Sequence, residues 1–169
     1  MKILLTGPPR SGKTTLLARF LETVPDKQGF VTEEILDNGK RTGFRLISSI
    51  GQTATLASIY SDSPVRVFRY GVELHELDHF IDSLPPIEPD NLLYLDEIGR
   101  MELYSEKFKK LVLKYLAADN PFIGTITSIY NDDFVREIKS RPDISVTEVT
   151  EKNRETLLNQ LSDLVFGAD

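Results

Sequence analysis

The chain contains no cysteine, which excludes disulfides and thiolate metal sites and fits a reducing cytoplasm. Histidine is almost as scarce, with two among 169 residues. No apolar run approaches the roughly 20 residues needed to cross a bilayer. The first one, Ile3-Leu4-Leu5, is too short for a signal sequence and leads directly into glycine and proline. Positive charge is also outnumbered: 20 Lys and Arg against 26 Asp and Glu leave a formal net charge of −6. That argues against nonspecific binding to nucleic acid or an anionic membrane, both of which need clustered cationic surface. A local positive pocket for a small anion remains compatible with it. There is no internal repeat, low-complexity tract or linker, and no coiled-coil pattern or long apolar strip, so a monomer is expected.

What is present is ordinary for a globular protein: 40% apolar and 27% charged residues, in a length suited to one domain spanning residues 1–169. Residues 2–6 (KILLT) read as a short buried strand ending at Gly7. Leu16, Leu17, Phe20, Leu21 and Val24 then recur at helical spacing until Pro25. Residues 29–36 and 41–48 read as strands joined by a tight Asn38-Gly39 hairpin. Further strands are expected at 53–59 and 65–69.

A helix over 73–84 turns Leu74, Leu77, Ile81 and Leu84 to one face. The almost unbroken apolar run 91–97 predicts a strand buried on both sides. Ser105 caps a helix bearing Phe108, Leu111, Val112, Tyr115 and Leu116. Strands at 122–127 and 144–150, a helix at 132–140 and a last helix capped by Thr150 complete the chain, the last burying Leu157, Leu158, Leu161, Leu164 and Val165. Alternating strands and helices predict an α/β fold with a mainly parallel sheet and three layers. An antiparallel β insert over about residues 30–69 is expected at its edge.

Two rare motifs compete for the chemistry. Residues 7–14, Gly7-Pro8-Pro9-Arg10-Ser11-Gly12-Lys13-Thr14, form a phosphate-binding loop of the G-x-x-x-x-G-K-[ST] type. Residues 75–79, His75-Glu76-Leu77-Asp78-His79, match the H-E-x-x-H of zinc peptidases. Each arises by composition on the order of once in a few hundred chains of this length, so rarity does not choose between them. Context does. The loop follows a buried strand and opens an amphipathic helix, whose N-terminus adds the positive end of its dipole. Its backbone N–H groups would wrap phosphate oxygens, Lys13 would reach the β- and γ-phosphates, and the Thr14 hydroxyl would ligate Mg²⁺.

Asp96 and Glu97 end an apolar strand, the edge where α/β ligands bind. Asp96 is expected to help hold Mg²⁺, and Glu97 to polarise a water for attack on the γ-phosphate. The histidine motif lacks a third ligand, since no histidine follows His79. It reads instead as a solvated helix face with local His–carboxylate contacts, and zinc proteolysis is set aside.

Several segments in order resemble the small P-loop nucleoside-triphosphatases called THEP1, or cancer-related nucleoside-triphosphatases. They are 7–16 (GPPRSGKTTL), 29–34 (GFVTEE), 41–47 (RTGFRLI), 70–72 (YGV), 95–103 (LDEIGRMEL), 124–126 (GTI) and 149–154 (VTEKNR). The resemblance spans nearly the whole chain. It implies a RecA-like or kinase-like P-loop core, a requirement for Mg²⁺, and slow hydrolysis of several nucleoside triphosphates. It carries Gly7, Gly12, Lys13, Thr14 and Thr15 onto the family loop, and Asp96 and Glu97 onto its second motif.

Three positions depart from the family pattern. Arg10 stands where glycine is usual, Thr127 where proline is common after the GTI segment, and Lys152 where an acid usually precedes Asn153. Thr127 could offer a hydroxyl near the γ-phosphate, and the segment with Asn153 and Arg154 could lie near the base.

Hydrolysis would be helped by an arginine, for which Arg45, Arg69, Arg100 and Arg154 are candidates, Arg100 first because it follows the acidic motif. The alternatives are a small-molecule or nucleotide kinase of the same fold and a nucleotide-dependent binding or switch protein. The absence of an Asn-Lys-x-Asp guanine-reading motif argues against strict GTP selectivity.

Overall fold

The computed structural model describes residues 1–167. One nine-stranded sheet runs through it, flanked by helices on both faces. Its strands are β1 (Lys2–Thr6), β2 (Lys27–Asp37), β3 (Lys40–Ser48), β4 (Thr53–Ser58), β5 (Arg66–Val67), β6 (Tyr70–Val72), β7 (Leu92–Ile98), β8 (Phe122–Ile126) and β9 (Ile144–Glu148). The helices are α1 (Lys13–Glu22), α2 (Leu74–Asp82), α3 (Glu106–Ala117), α4 (Asp133–Lys139) and α5 (Arg154–Phe166). In space the strands are ordered β5-β6-β4-β3-β2-β7-β8-β1-β9.

The expected α/β fold is present, with the antiparallel insert at the edge of the sheet. β2 belongs to both halves of the sheet. Its first part, Lys27 to Val31, pairs in parallel with Leu92 to Asp96 of β7, and from Phe30 onward it pairs antiparallel with β3. The antiparallel strands therefore continue the central sheet rather than forming a detached lid. The Asn38-Gly39 turn closes the β2–β3 hairpin as expected, with both residues at positive φ.

Three local expectations need correction. The strand anticipated over 65–69 is a tight hairpin, β5 to β6, whose turn at Phe68 takes a φ of 53° and leaves that ring 83% exposed. The last helix starts later than Thr150. Asn153 is its cap residue, and the two side chains close the preceding turn reciprocally: the Thr150 N–H donates to Asn153 Oδ1, and the Asn153 N–H to Thr150 Oγ1. Of its five predicted core residues, Leu157, Leu161 and Val165 are buried, while Leu158 and Leu164 are half-buried.

In α2 the deepest residues are Leu77 and Phe80, with Leu74, Ile81 and Leu84 only half-buried. Phe80 meets Phe30 edge-on, with centroids 5.2 Å apart, and Phe30 also touches Phe108 of α3. These rings join α2 and α3 to one face of the sheet, whereas α1 and α5 pack on the other around Leu17, Phe20 and Leu161. The two cores clamp β7, β8 and β1, so the loops leaving their C-terminal ends are held on a rigid edge. Ser105 caps α3 as expected, accepting from the Phe108 N–H at 3.0 Å.

Candidate active site

Three neighbouring strands of the parallel sheet deliver residues to one edge. The phosphate-binding loop leaves β1, Asp96 and Glu97 lie at the end of β7, and Thr125 to Ser128 end and follow β8. In the loop Gly7, Arg10 and Gly12 all have positive φ, at 148°, 66° and 95°. Gly12 caps α1 in the left-handed conformation, which leaves the first N–H groups of the helix without a side-chain partner. Arg10 adopts the same region without being glycine, so the backbone demands at that position what a glycine would meet without strain. Pro8, Pro9 and Arg10 form the exposed outer rim, and Ser11 and Lys13 turn inward.

Lys13 is 9% exposed. Its ammonium donates to the Gly7 carbonyl at 3.1 Å and lies 3.5 Å from Glu97 Oε2. Thr14 and Thr15 are exposed in the first turn of α1. The Thr14 hydroxyl donates to Asp96 Oδ1 at 3.3 Å, and the same carboxylate oxygen accepts from the Thr125 hydroxyl. The Asp96 carbonyl accepts from Thr32 Oγ1 at 2.8 Å, which ties β2 to the end of β7. The Asp96–Glu97 peptide bond is cis.

Asp96 is only 2% exposed. Burial pushes its pKa up to about 6, opposed by the hydrogen bond from Thr125 and reinforced by the negative charge of Glu97. A cation held between Thr14 and Asp96 would offset that burial penalty, and a hydroxyl with a carboxylate is the oxygen donor set Mg²⁺ prefers. The buried Ser11 hydroxyl has no hydrogen-bond partner. It lies beside Gly7, where an added Cβ would meet Ser11 Oγ at 2.8 Å. The residues present therefore fit both a triphosphate and its metal.

Of the other candidate residues, Arg154 comes nearest to the loop. Its guanidinium lies over Gly12, where an added Cβ would meet Arg154 Nη1 at 3.0 Å. Arg100, the first choice from the sequence, turns aside to the rings of Tyr130 and Phe68, with centroids 5.6 and 6.0 Å away. The Thr127 hydroxyl accepts from the Ile129 and Tyr130 N–H groups and so shapes the β8 loop. The Asn153 amide is committed to the turn before α5, donating to the Glu148 carbonyl at 2.7 Å. Arg45 pairs with Glu33, and Arg69 donates to the Arg41 carbonyl, both in the antiparallel part of the sheet.

Sequence reasoning passed over three residues at this edge. Thr125 is fully buried against Asp96, Ser128 Oγ donates to the Gly7 carbonyl at 2.8 Å, and Glu102 is 4% exposed near Glu97. The signals were a hydroxyl inside an otherwise apolar strand and an acid directly before the buried Leu103.

The zinc-type stretch lies elsewhere. His75 and His79 are exposed on α2, but the carboxylates between them do not contact the imidazoles as expected. Glu76 accepts the Thr55 N–H at 3.1 Å, and Asp78 accepts from Ser105 Oγ at 2.6 Å, so both acids bind the helix to its neighbours. Among the described residues no group of three or more His, Cys, Asp or Glu is placed to hold a metal. His79 and Glu76 line a groove of about 790 Å³ beside β4 that contains none of the loop residues.

Comparison with known proteins agrees with this geometry. A family model described as NTPase matches residues 2–162. The nucleoside-triphosphatase THEP1 of Thermotoga sp. (strain RQ2) is 40% identical over 163 residues, covering 95% of this chain and 93% of that protein. The crystal structure of THEP1 from the hyperthermophile Aquifex aeolicus superposes with a TM-score of 0.85 at 33% identity, covering 98% of this chain and 99% of that one. The solution structure of a human cancer-related nucleoside triphosphatase gives 0.82 at 31% identity, covering 99% and 98%.

Proposed function

The chain belongs to the NTPase family and is a nucleoside-triphosphatase; from that premise we propose that it hydrolyses ATP, GTP and other nucleoside triphosphates to the diphosphate and phosphate with Mg²⁺. The observation that carries this reading is the convergence of Lys13, Thr14, Asp96 and Glu97 on one point above the loop. The loop N–H groups bind the phosphates. Thr14 and Asp96 would hold the metal, which would supply charge neutralisation when bound.

Lys13 exchanges its contacts with Gly7 and Glu97 for the phosphates. Glu97, released from that ion pair, orients a water in line with the γ-phosphorus. The water oxygen bonds to phosphorus as the bond to the bridging β-oxygen breaks, its proton passes to Glu97, and the diphosphate leaves with the electron pair of the broken bond. Arg154 adds positive charge at the Gly12 end of the loop. Base tolerance fits the absence of an Asn-Lys-x-Asp guanine-reading motif.

Purified protein should release phosphate from ATP and GTP, and from CTP and UTP, only when Mg²⁺ is supplied. Phosphate release that needs an added nucleoside monophosphate, with the phosphoryl group appearing on that acceptor, would replace this reading with a kinase.

A further inference from the structure

Glu102 is a buried acid that the hydrolytic steps above do not use. It opens a single 3-10 turn (Glu102–Tyr104) just after β7, with 4% of its surface exposed. Among the described residues no lysine, arginine or histidine forms an ion pair with it. A carboxylate so buried and unpaired is strongly disfavoured. Burial above all, and then the charge of Glu97, pushes its pKa well above the usual carboxylate range. Such a group keeps its proton and acts as an O–H donor.

The acceptor is nearby. A Cβ on Gly99 would meet Glu97 Oε1 at 2.6 Å and Glu102 Oε2 at 3.0 Å. Both carboxyl groups therefore point into the space that the missing side chain leaves open. Both oxygens thus border the same small space, across which a single water, or a small turn of either side chain, links them. The other oxygen of Glu97, Oε2, faces Lys13. Glu97 thus has a separate neighbour for each oxygen.

We propose that Glu102 is a positioning residue for Glu97, fixing Oε1 so that only Oε2 is freed when Lys13 moves to the phosphates. The proposal rests on the reading that Glu97 orients the attacking water. A carboxylate tethered at one oxygen keeps its plane and presents the other to the water in one orientation. Without the tether, Glu97 loses alignment but keeps its charge, so turnover falls while nucleotide binding does not. Gly99 contributes by leaving the room in which the two groups meet.

The test compares wild type, Glu102→Leu, Glu102→Gln, Glu97→Gln and the Glu97→Gln/Glu102→Leu double variant by steady-state hydrolysis, nucleotide affinity and thermal melting. Glu102→Leu should lower kcat about tenfold or more with KM and nucleotide affinity within about twofold. Its melting temperature should hold or rise, because an apolar side chain replaces a buried acid. Glu102→Gln keeps a donor of the same shape and should recover kcat to within about threefold of wild type. In the Glu97→Gln background, Glu102→Leu should add nothing.

Wild-type kcat in Glu102→Leu, equal impairment in Glu102→Gln, or an undiminished effect without Glu97 would each overturn the proposal. Should Glu102→Leu fold poorly, Gly99→Ala intrudes on the same space and should produce the same isolated loss of kcat; a normal kcat there overturns the proposal as well. If Glu97→Gln itself turns over normally, the water-orienting reading falls and takes this assignment with it. If Glu97→Gln is slow and Glu102→Leu is not, the assignment of Glu102 alone falls.

Discussion

Lys13 Nζ lies 3.5 Å from Glu97 Oε2, so the loop cation and the carboxylate at the end of β7 offset each other's charge. Replacing Glu97 by glutamine removes the ion pair and the base together. Nucleotide binding should persist or tighten, because Lys13 no longer has to leave a partner, while turnover falls by about 10²- to 10⁴-fold. Binding titrations beside phosphate-release rates check this, and unchanged turnover would remove Glu97 from its role.

Asp96 makes stability depend on pH. Its pKa of about 6 in the folded protein exceeds the roughly 3.9 of a free aspartate, so the folded state holds this proton more tightly than the unfolded one. The contribution is complete below about pH 4 and is lost as pH rises through about 6. In metal-free buffer, the stability of wild type relative to Asp96→Asn should therefore decline by roughly 3 kcal/mol across that window. Denaturant titrations at several pH values measure it, and a flat difference refutes it.

Arg10 carries a backbone strain that can be removed. A non-glycine residue in the left-handed region costs about 1–2 kcal/mol, of which the greater freedom of unfolded glycine returns about 0.5–1. Arg10→Gly should thus raise the melting temperature by about 1–3 °C, and Arg10→Ala should not. Equal melting of the two variants would contradict the strain.

The two arginines should separate in kinetics. Arg154→Ala removes a guanidinium over the loop and should lower kcat/KM about tenfold or more, as loss of a charged hydrogen-bonding group does. Arg100→Ala disturbs only a stack on Tyr130 and Phe68 and should stay within about threefold. The opposite ranking would restore the choice made from sequence position alone.

That reversal shows where the sequence is legible. The loop, its helix and the acidic pair could be read because each is a local pattern whose chemistry depends on neighbours in the chain. Arg154 could not be ranked, because its nearness to Gly12 depends on β9 lying beside β1 at the sheet edge. Glu102 was hidden for a related reason: its burial follows from a 3-10 turn folding beneath β7, which no periodicity announces. Phe80 was missed because α2 is short and its inward face rotates toward Phe30. The hairpin at Phe68 defeated an alternation pattern that two strands and a turn can satisfy as well as one strand. The β insert was seen, but its continuity with the parallel sheet through β2 is a matter of register, fixed by pairing with β7.

The contact between Glu76 and Thr55 has a consequence beyond the packing of α2. β6 pairs with β4 only at Ala57 and Ser58, which leaves the first half of β4 without a strand on its outer side. An open strand edge is a template on which another chain can add itself. Glu76 occupies the Thr55 N–H and sets a negative charge at that place. The acid of an apparent protease signature thus fills, at Thr55, the backbone N–H that an added strand would need.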